Sequence, residues 1–91
     1  MSRTTVPVEH ALSLSQPVFA NDEIHFSAFG PGWGFCSYAL PAHLVVAQLG
    51  AADSSQQQLN LAYQLNRQRI IAAVAEGGVQ DPHTRVMLLK I

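Results

Sequence analysis

Apolar and polar residues alternate along 23–29, with Ile24, Phe26 and Ala28 facing one way and His25, Ser27 and Phe29 the other. An aromatic-rich run of similar length follows at 35–40, and together the two segments predict a pair of strands. Between them Gly30, Gly32 and Gly34 permit positive φ and Pro31 presets its own, so the pair reads as an antiparallel hairpin with a loop longer than two residues. Trp33 stands at that tip, where its ring either folds back over the hairpin or anchors a partner. Upstream, Ala11, Leu12, Leu14, Val18 and Phe19 permit a short strand within 10–19, and Pro17 confines it to a sheet edge. Residues 1–9 show no period and read as a flexible lead-in to one domain spanning 10–91.

The pattern then changes to a helical one. Pro41 suits the first turn of a helix, residues 42–49 supply about two turns, and Gly50 is placed to end them in a left-handed conformation. Asp53, Ser54 and Ser55 are successive capping candidates for a second, longer helix that is predicted to run unbroken to about Glu76, before Gly77 and Gly78. At about 100° per residue, Leu59, Leu61, Ala62, Tyr63, Leu65, Ile70, Ala72, Ala73 and Val74 form a broad apolar arc, opposite Gln57, Asn60, Gln64, Arg67 and Gln68. Ile71 falls on the polar side. After an Asp81-Pro82 turn, residues 84–91 alternate as a last strand. The predicted class is α+β: a small, mainly antiparallel sheet made of the hairpin, the C-terminal strand and a candidate N-terminal strand. Two helices cover one face, in the order (β)ββααβ.

Composition adds one feature to this picture. The chain is 48% hydrophobic but only 12% charged, against about 25% in an average soluble domain. Five basic and six acidic residues leave much of the surface to amides, hydroxyls and apolar groups, which points to self-association as a homodimer or to another protein partner. Trp33 and Ile71 are the expected contact residues, beside a strand edge and the Gln-rich helix face. A net charge of -1 argues against nucleic acid as a partner. One cysteine excludes an internal disulfide, and no window of about 18 apolar residues suggests a membrane span or a signal segment, so a cytoplasmic location is expected.

Chemistry-bearing residues are sparse. Arg69 and Asn66 place a guanidinium and an amide on the apolar arc, and a charge there must reach the edge or meet carbonyls or a carboxylate; Glu76, Glu23, Asp22 and the end of the chain at Ile91 are the candidates. With Arg67 and Tyr63 these residues outline a small-anion or small-ligand site, since arginine offers a planar fork to carboxylate or phosphate, although arginines two apart on a helix diverge. His25 and Cys36 facing each other across the hairpin, with His43 nearby, are the one credible metal set, but their spacing is not that of a zinc site, and no cofactor is expected. Cys36 lacks the neighbours that lower a thiol pKa, and Asp22 and Glu23, adjacent on a strand, point apart. His10 and His83 fall in loops. The 30–34 loop lacks the lysine of a phosphate cradle, and no serine sits in a nucleophile elbow. A non-enzymatic interaction module is the first expectation, and the ligand-binding domain the alternative.

Several stretches carry a resemblance: Ile24-His25-Phe26-Ser27-Ala28, Phe35-Cys36, Tyr38-Ala39-Leu40-Pro41-Ala42-His43-Leu44, Leu49-Gly50-Ala51, Asn66-Arg67-Gln68-Arg69-Ile70 and Arg85-Val86-Met87-Leu88. In this order and spacing the chain resembles the small proteobacterial proteins of domain-of-unknown-function family 1488. The resemblance covers most of the chain after about His10. It implies a compact α+β domain and no assigned activity, and supplies no site residues. The glycine-rich 30–34 loop and the low charge depart from that pattern.

Overall fold

Two eight-residue strands form the centre of the sheet, Glu23–Gly30 and Gly34–Pro41, paired antiparallel from Glu23 opposite Pro41 to Gly30 opposite Gly34. The computed structural model describes residues 12–31, 34–77 and 83–91; the 1–9 lead-in and Trp33 lie outside them. Gly34, at φ +91, adopts the positive φ that this end of the hairpin requires. In chain order the elements are β1 (Ser13–Leu14), β2 (Val18–Ala20), β3 (Glu23–Gly30), β4 (Gly34–Pro41), α1 (Ala42–Leu49), α2 (Gln56–Leu65), α3 (Arg67–Glu76) and β5 (Arg85–Met87).

The N-terminal strand is two short pieces, β1 and β2, separated across Pro17 and both paired antiparallel with the outer side of β3. A proline here is compatible with an edge because it has no N–H to give to a ladder. β2 returns into β3 through Asn21 and Asp22, both with positive φ (55° and 56°), the geometry of a two-residue type I′ turn. The Asp22 carbonyl then accepts from Ala42 N at 2.8 Å, tying this turn to the start of α1. β5 closes the other edge, and it pairs parallel to β4, Tyr38 opposite Val86. The sheet is therefore mixed but mostly antiparallel, in the order β1-β3-β4-β5 with β2 also on β3. The predicted C-terminal strand is shorter than 84–91, since regular pairing covers only Arg85–Met87.

Among the described residues three helices pack on one face of the sheet. Ile24, Phe26 and Ala28 of β3 and Cys36, Tyr38 and Leu40 of β4 join Leu44, Val45, Leu59, Tyr63, Ile70 and Val74 in a single apolar cluster. Helix α1 ends as predicted, at Gly50 with φ 79 and its N–H on Val45 O. Of the three capping candidates Ser55 opens α2, its Oγ accepting from Gln58 N at 3.3 Å.

The long helix differs from expectation. It is divided at Asn66, whose φ of -114° and ψ of 25° leave the helical range, so three helices cover the sheet instead of two. Asn66 N donates to Ala62 O and Asn66 O accepts from Ile70 N, each at 3.0 Å, so one residue closes α2 and opens α3. The break turns the buried face. At about 100° per residue, Leu59, Ala62 and Tyr63 centre about 70° away from Ile70, Ile71 and Val74. Ile71, expected on the polar side, is consequently buried at 5% exposure, while Leu61 and Leu65 of the predicted apolar arc are exposed at 50% and 75%.

Candidate functional site

The polar groups around the α2/α3 junction separate into two sets. Asn66 and Arg69 turn toward the C-terminal end of α1, where carbonyls lack intrahelical partners. Asn66 Nδ2 donates to Leu49 O at 3.3 Å and to Ala62 O at 2.9 Å; Arg69 Nη1 donates to Gln48 O at 2.8 Å and its Nη2 to Ile91 O at 3.4 Å. A cation at a helix C-terminus also meets the negative end of the helix dipole. Arg69 is an exposed side chain that meets the Gln48 carbonyl and, of its expected partners, the end of the chain at Ile91, while no hydrogen bond joins it to Asp22, Glu23 or Glu76.

Arg67 and Tyr63 face the opposite way, toward the N-terminal edge strand. Arg67 Nη2 donates to Leu14 O and Nη1 to Gln64 Oε1, both at 2.9 Å, with the guanidinium 5.9 Å from the centre of the Tyr63 ring. The Tyr63 hydroxyl donates to Ser15 O at 3.0 Å. Burial pushes the Tyr63 phenol up to about 12, against a smaller opposing pull from Arg67. The four residues expected to share a ligand thus bridge α2 and α3 to two different parts of the fold.

Arg69 also borders a cleft of about 370 Å³ between α3 and the segment after β5, lined on the α3 side by Ala72, Ala73 and Glu76 and on the other by Leu88, Leu89 and Lys90. A second cleft, of about 490 Å³, lies beside the start of α1, with Asp22, His43 and Asp53 on its walls.

The other notable surface is the sheet face that none of the helices among the described residues covers. Strand register places His25 beside Ala39 and Met87, and Ser27 beside Ser37 and Arg85, with Phe29 opposite Phe35 at one end and Glu23 at the other. Phe29 and Phe35 stack, ring centres 6.3 Å apart and planes 18° from parallel. His25 Nε2 and Glu23 Oε1 are 2.8 Å apart, a pairing that follows from two residues at i and i+2 on one strand face. Sequence reasoning missed this pair, although that spacing is its signal.

Cys36 lies on the covered face, in register with Ala28, so His25 and Cys36 do not face each other as expected. His43 is exposed on α1. Among the described residues no group of three or more His, Cys, Asp or Glu is placed to hold a metal ion. Behind Cys36, Tyr38 is buried and stacks on Phe26 with centres 5.6 Å apart. Burial, with the neighbouring Cys36 adding to it, raises the Tyr38 phenol to about 12, and its hydroxyl finds no hydrogen-bond partner of good geometry among the described residues.

Among the described residues, no helix is long and apolar enough to cross a membrane. No protein-family model, curated protein or solved structure matches this chain.

Proposed function

We propose that this domain is a non-enzymatic interaction module of the cytoplasm that pairs with a second copy of itself through the open face of its sheet. The observation that carries this reading is the number of large apolar side chains left exposed on that face, the stacked Phe29 and Phe35 at one end and Val18 and Met87 at its two edges, which are 39%, 55%, 61% and 44% exposed. A solitary domain gains nothing from leaving these out in water, and such patches mark contact surfaces. The charges on the same face are self-complementary. Glu23 sits at the end of β3 and Arg85 on β5, at diagonal corners of the face, so a two-fold axis lying over Ala39 sets each Arg85 against Glu23 of the second copy.

The area sets the strength. Four strand widths by eight residues give roughly 400–500 Å² per copy, so about 800–1,000 Å² in total, at the lower end for a specific interface. A dimer of micromolar or weaker affinity is therefore expected. Membership of the domain-of-unknown-function family 1488 belongs to the same proposal: it agrees with the α+β class and adds no activity.

Light scattering or sedimentation across the micromolar range tests the reading. The mass rises from 9.9 kDa toward twice that value with concentration, and Phe35→Ser abolishes the rise. A monomer at every concentration, or a dimer indifferent to Phe35→Ser, overturns it.

A further inference from the structure

We propose that self-pairing through the open sheet face is switched by protonation of His25 and weakens as pH falls below neutrality. The inference rests on the self-pairing reading and assigns its regulation. Histidine is the side chain whose charge changes between pH 5 and 8, and His25 stands where that change meets the one carboxylate the described residues place on this face. Glu23 Oε1 lies 2.8 Å from His25 Nε2 in the same copy, the one ion pair among the described residues. In the two-fold arrangement the same carboxylate receives Arg85 of the second copy. One anion thus serves two cations, an internal one that depends on pH and an external one that does not.

The groups around His25 are few. On the β1–β2 side Ser15, Gln16 and Val18 are uncharged, β4 presents Ala39 and Ser37, and β5 presents Met87 and Arg85. Arg85 lines the same hollow of about 170 Å³ as His25 and Ser27. Asp22, His43 and Asp53 line the cleft beside α1 instead, and Arg69, Glu76, Lys90 and Ile91 the cleft beside α3. His83 is exposed two residues before β5. With His25 neutral, Glu23 and Arg85 leave the face without net charge and complementary to a second copy. Protonation gives each face one excess cation and answers the Glu23 charge from within. The His25 and Glu23 side chains are already only 17% and 25% exposed, so closing two such faces removes the remaining water from charges that no longer balance.

Sedimentation equilibrium over one concentration series, at about pH 7.5 and about pH 5.5, reads the switch. The dimer dissociation constant is expected to rise about tenfold to hundredfold on acidification, because each copy takes up a proton as the pair separates. His25→Gln keeps a polar side chain on the face and holds the constant within about twofold between the two conditions, whereas His83→Gln leaves the rise in place. Arg85→Gln, at an exposed position, weakens pairing near neutrality and reverses the sign, since protonation of His25 then neutralises a face that carries Glu23 alone. A dimer whose constant is the same at both pH values, a rise that survives His25→Gln, or an Arg85→Gln dimer that still weakens in acid overturns this inference and leaves self-pairing standing. A monomer at both pH values overturns self-pairing itself, and the switch with it.

Discussion

The two faces of strands β3 and β4 share one backbone and differ in almost everything else. On one face Ile24, Ala28, Cys36 and Leu40 are at most 1% exposed and lie in the apolar cluster under the helices. On the other, His25, Ser27, Phe29, Phe35 and Ser37 are half-buried or exposed, and only beside Leu40 does burial continue, at Ala39 and Pro41. The inner face sets stability, because its side chains lose all contact with water. The outer face is chemically mixed, with apolar rings at one end and a His–Glu pair at the other, and it can be altered without emptying the core. A strand with period two thus separates what holds the domain together from what it presents to others.

Truncation on each face breaks this contrast most strongly. Leu40→Ala removes a side chain with no exposure and is expected to cost about 2–5 kcal/mol in urea unfolding, the range for buried leucines that leave a cavity. If that cost falls below about 1 kcal/mol, the inner face is not the seat of stability.

Alkaline titration is the next largest effect. The Tyr38 and Tyr63 phenols ionise near 10 in the unfolded chain and at about 12 when folded. Their folded-state values are raised, so the stability they contribute is complete below pH 10 and is lost as pH climbs from 10 to 12. The loss amounts to about 2–3 kcal/mol per ring. Denaturant midpoints measured at successive pH values check this, and a Tyr38→Phe, Tyr63→Phe double variant flattens the profile.

Smaller effects sharpen the comparison within the core itself. Tyr63→Phe removes the hydroxyl that holds Ser15 O and costs about 1 kcal/mol, whereas Tyr38→Phe removes a buried hydroxyl without a good partner and is neutral or stabilising by up to about 1 kcal/mol. Equal losses from the two variants would show that Tyr38 has an acceptor after all. Smallest is Phe35→Ser on the outer face, expected to change monomer stability by less than about 1 kcal/mol, read from the same unfolding curves at low concentration.

Much of the fold was legible in the residues. Alternation located β3 and β4 nearly to their ends, and Pro41 and Gly50 bracketed α1 because each acts through its own backbone. Asn21 and Asp22 carried an unread signal, since asparagine and aspartate tolerate the positive φ of a two-residue turn. The division at Asn66 was not legible. Asparagine is a weak helix former whose amide competes for backbone groups, but its second acceptor, Leu49 O, is distant in sequence and near only after folding. The burial of Ile71 and the exposure of Leu65 follow from that break, and a single unbroken helical wheel assigns both to the wrong side.

The polar residues were singled out correctly as anomalies, and the end of the chain at Ile91 was among the partners expected of Arg69, but the others were hidden. Arg69 also ends on the main-chain oxygen of Gln48 and Arg67 on that of Leu14, and every residue has such an oxygen, so side-chain identity offers no clue to which is used. The direction of β5 was equally hidden. Whether a last strand runs parallel or antiparallel to its neighbour depends on where the preceding helices deliver it, and residues 84–91 read the same either way.

The parallel pairing of β5 has a consequence for how the chain is made. The strands up to β4 pair with partners close in sequence, so they can zip together as they leave the ribosome. Ser37 meets Arg85 only after a loop of about fifty residues has closed, a late and entropically costly step. Until β5 emerges, the outer rim of β4 offers unclaimed amides and carbonyls to any passing strand. The nascent protein therefore has an aggregation-prone interval that ends only once β5 has docked.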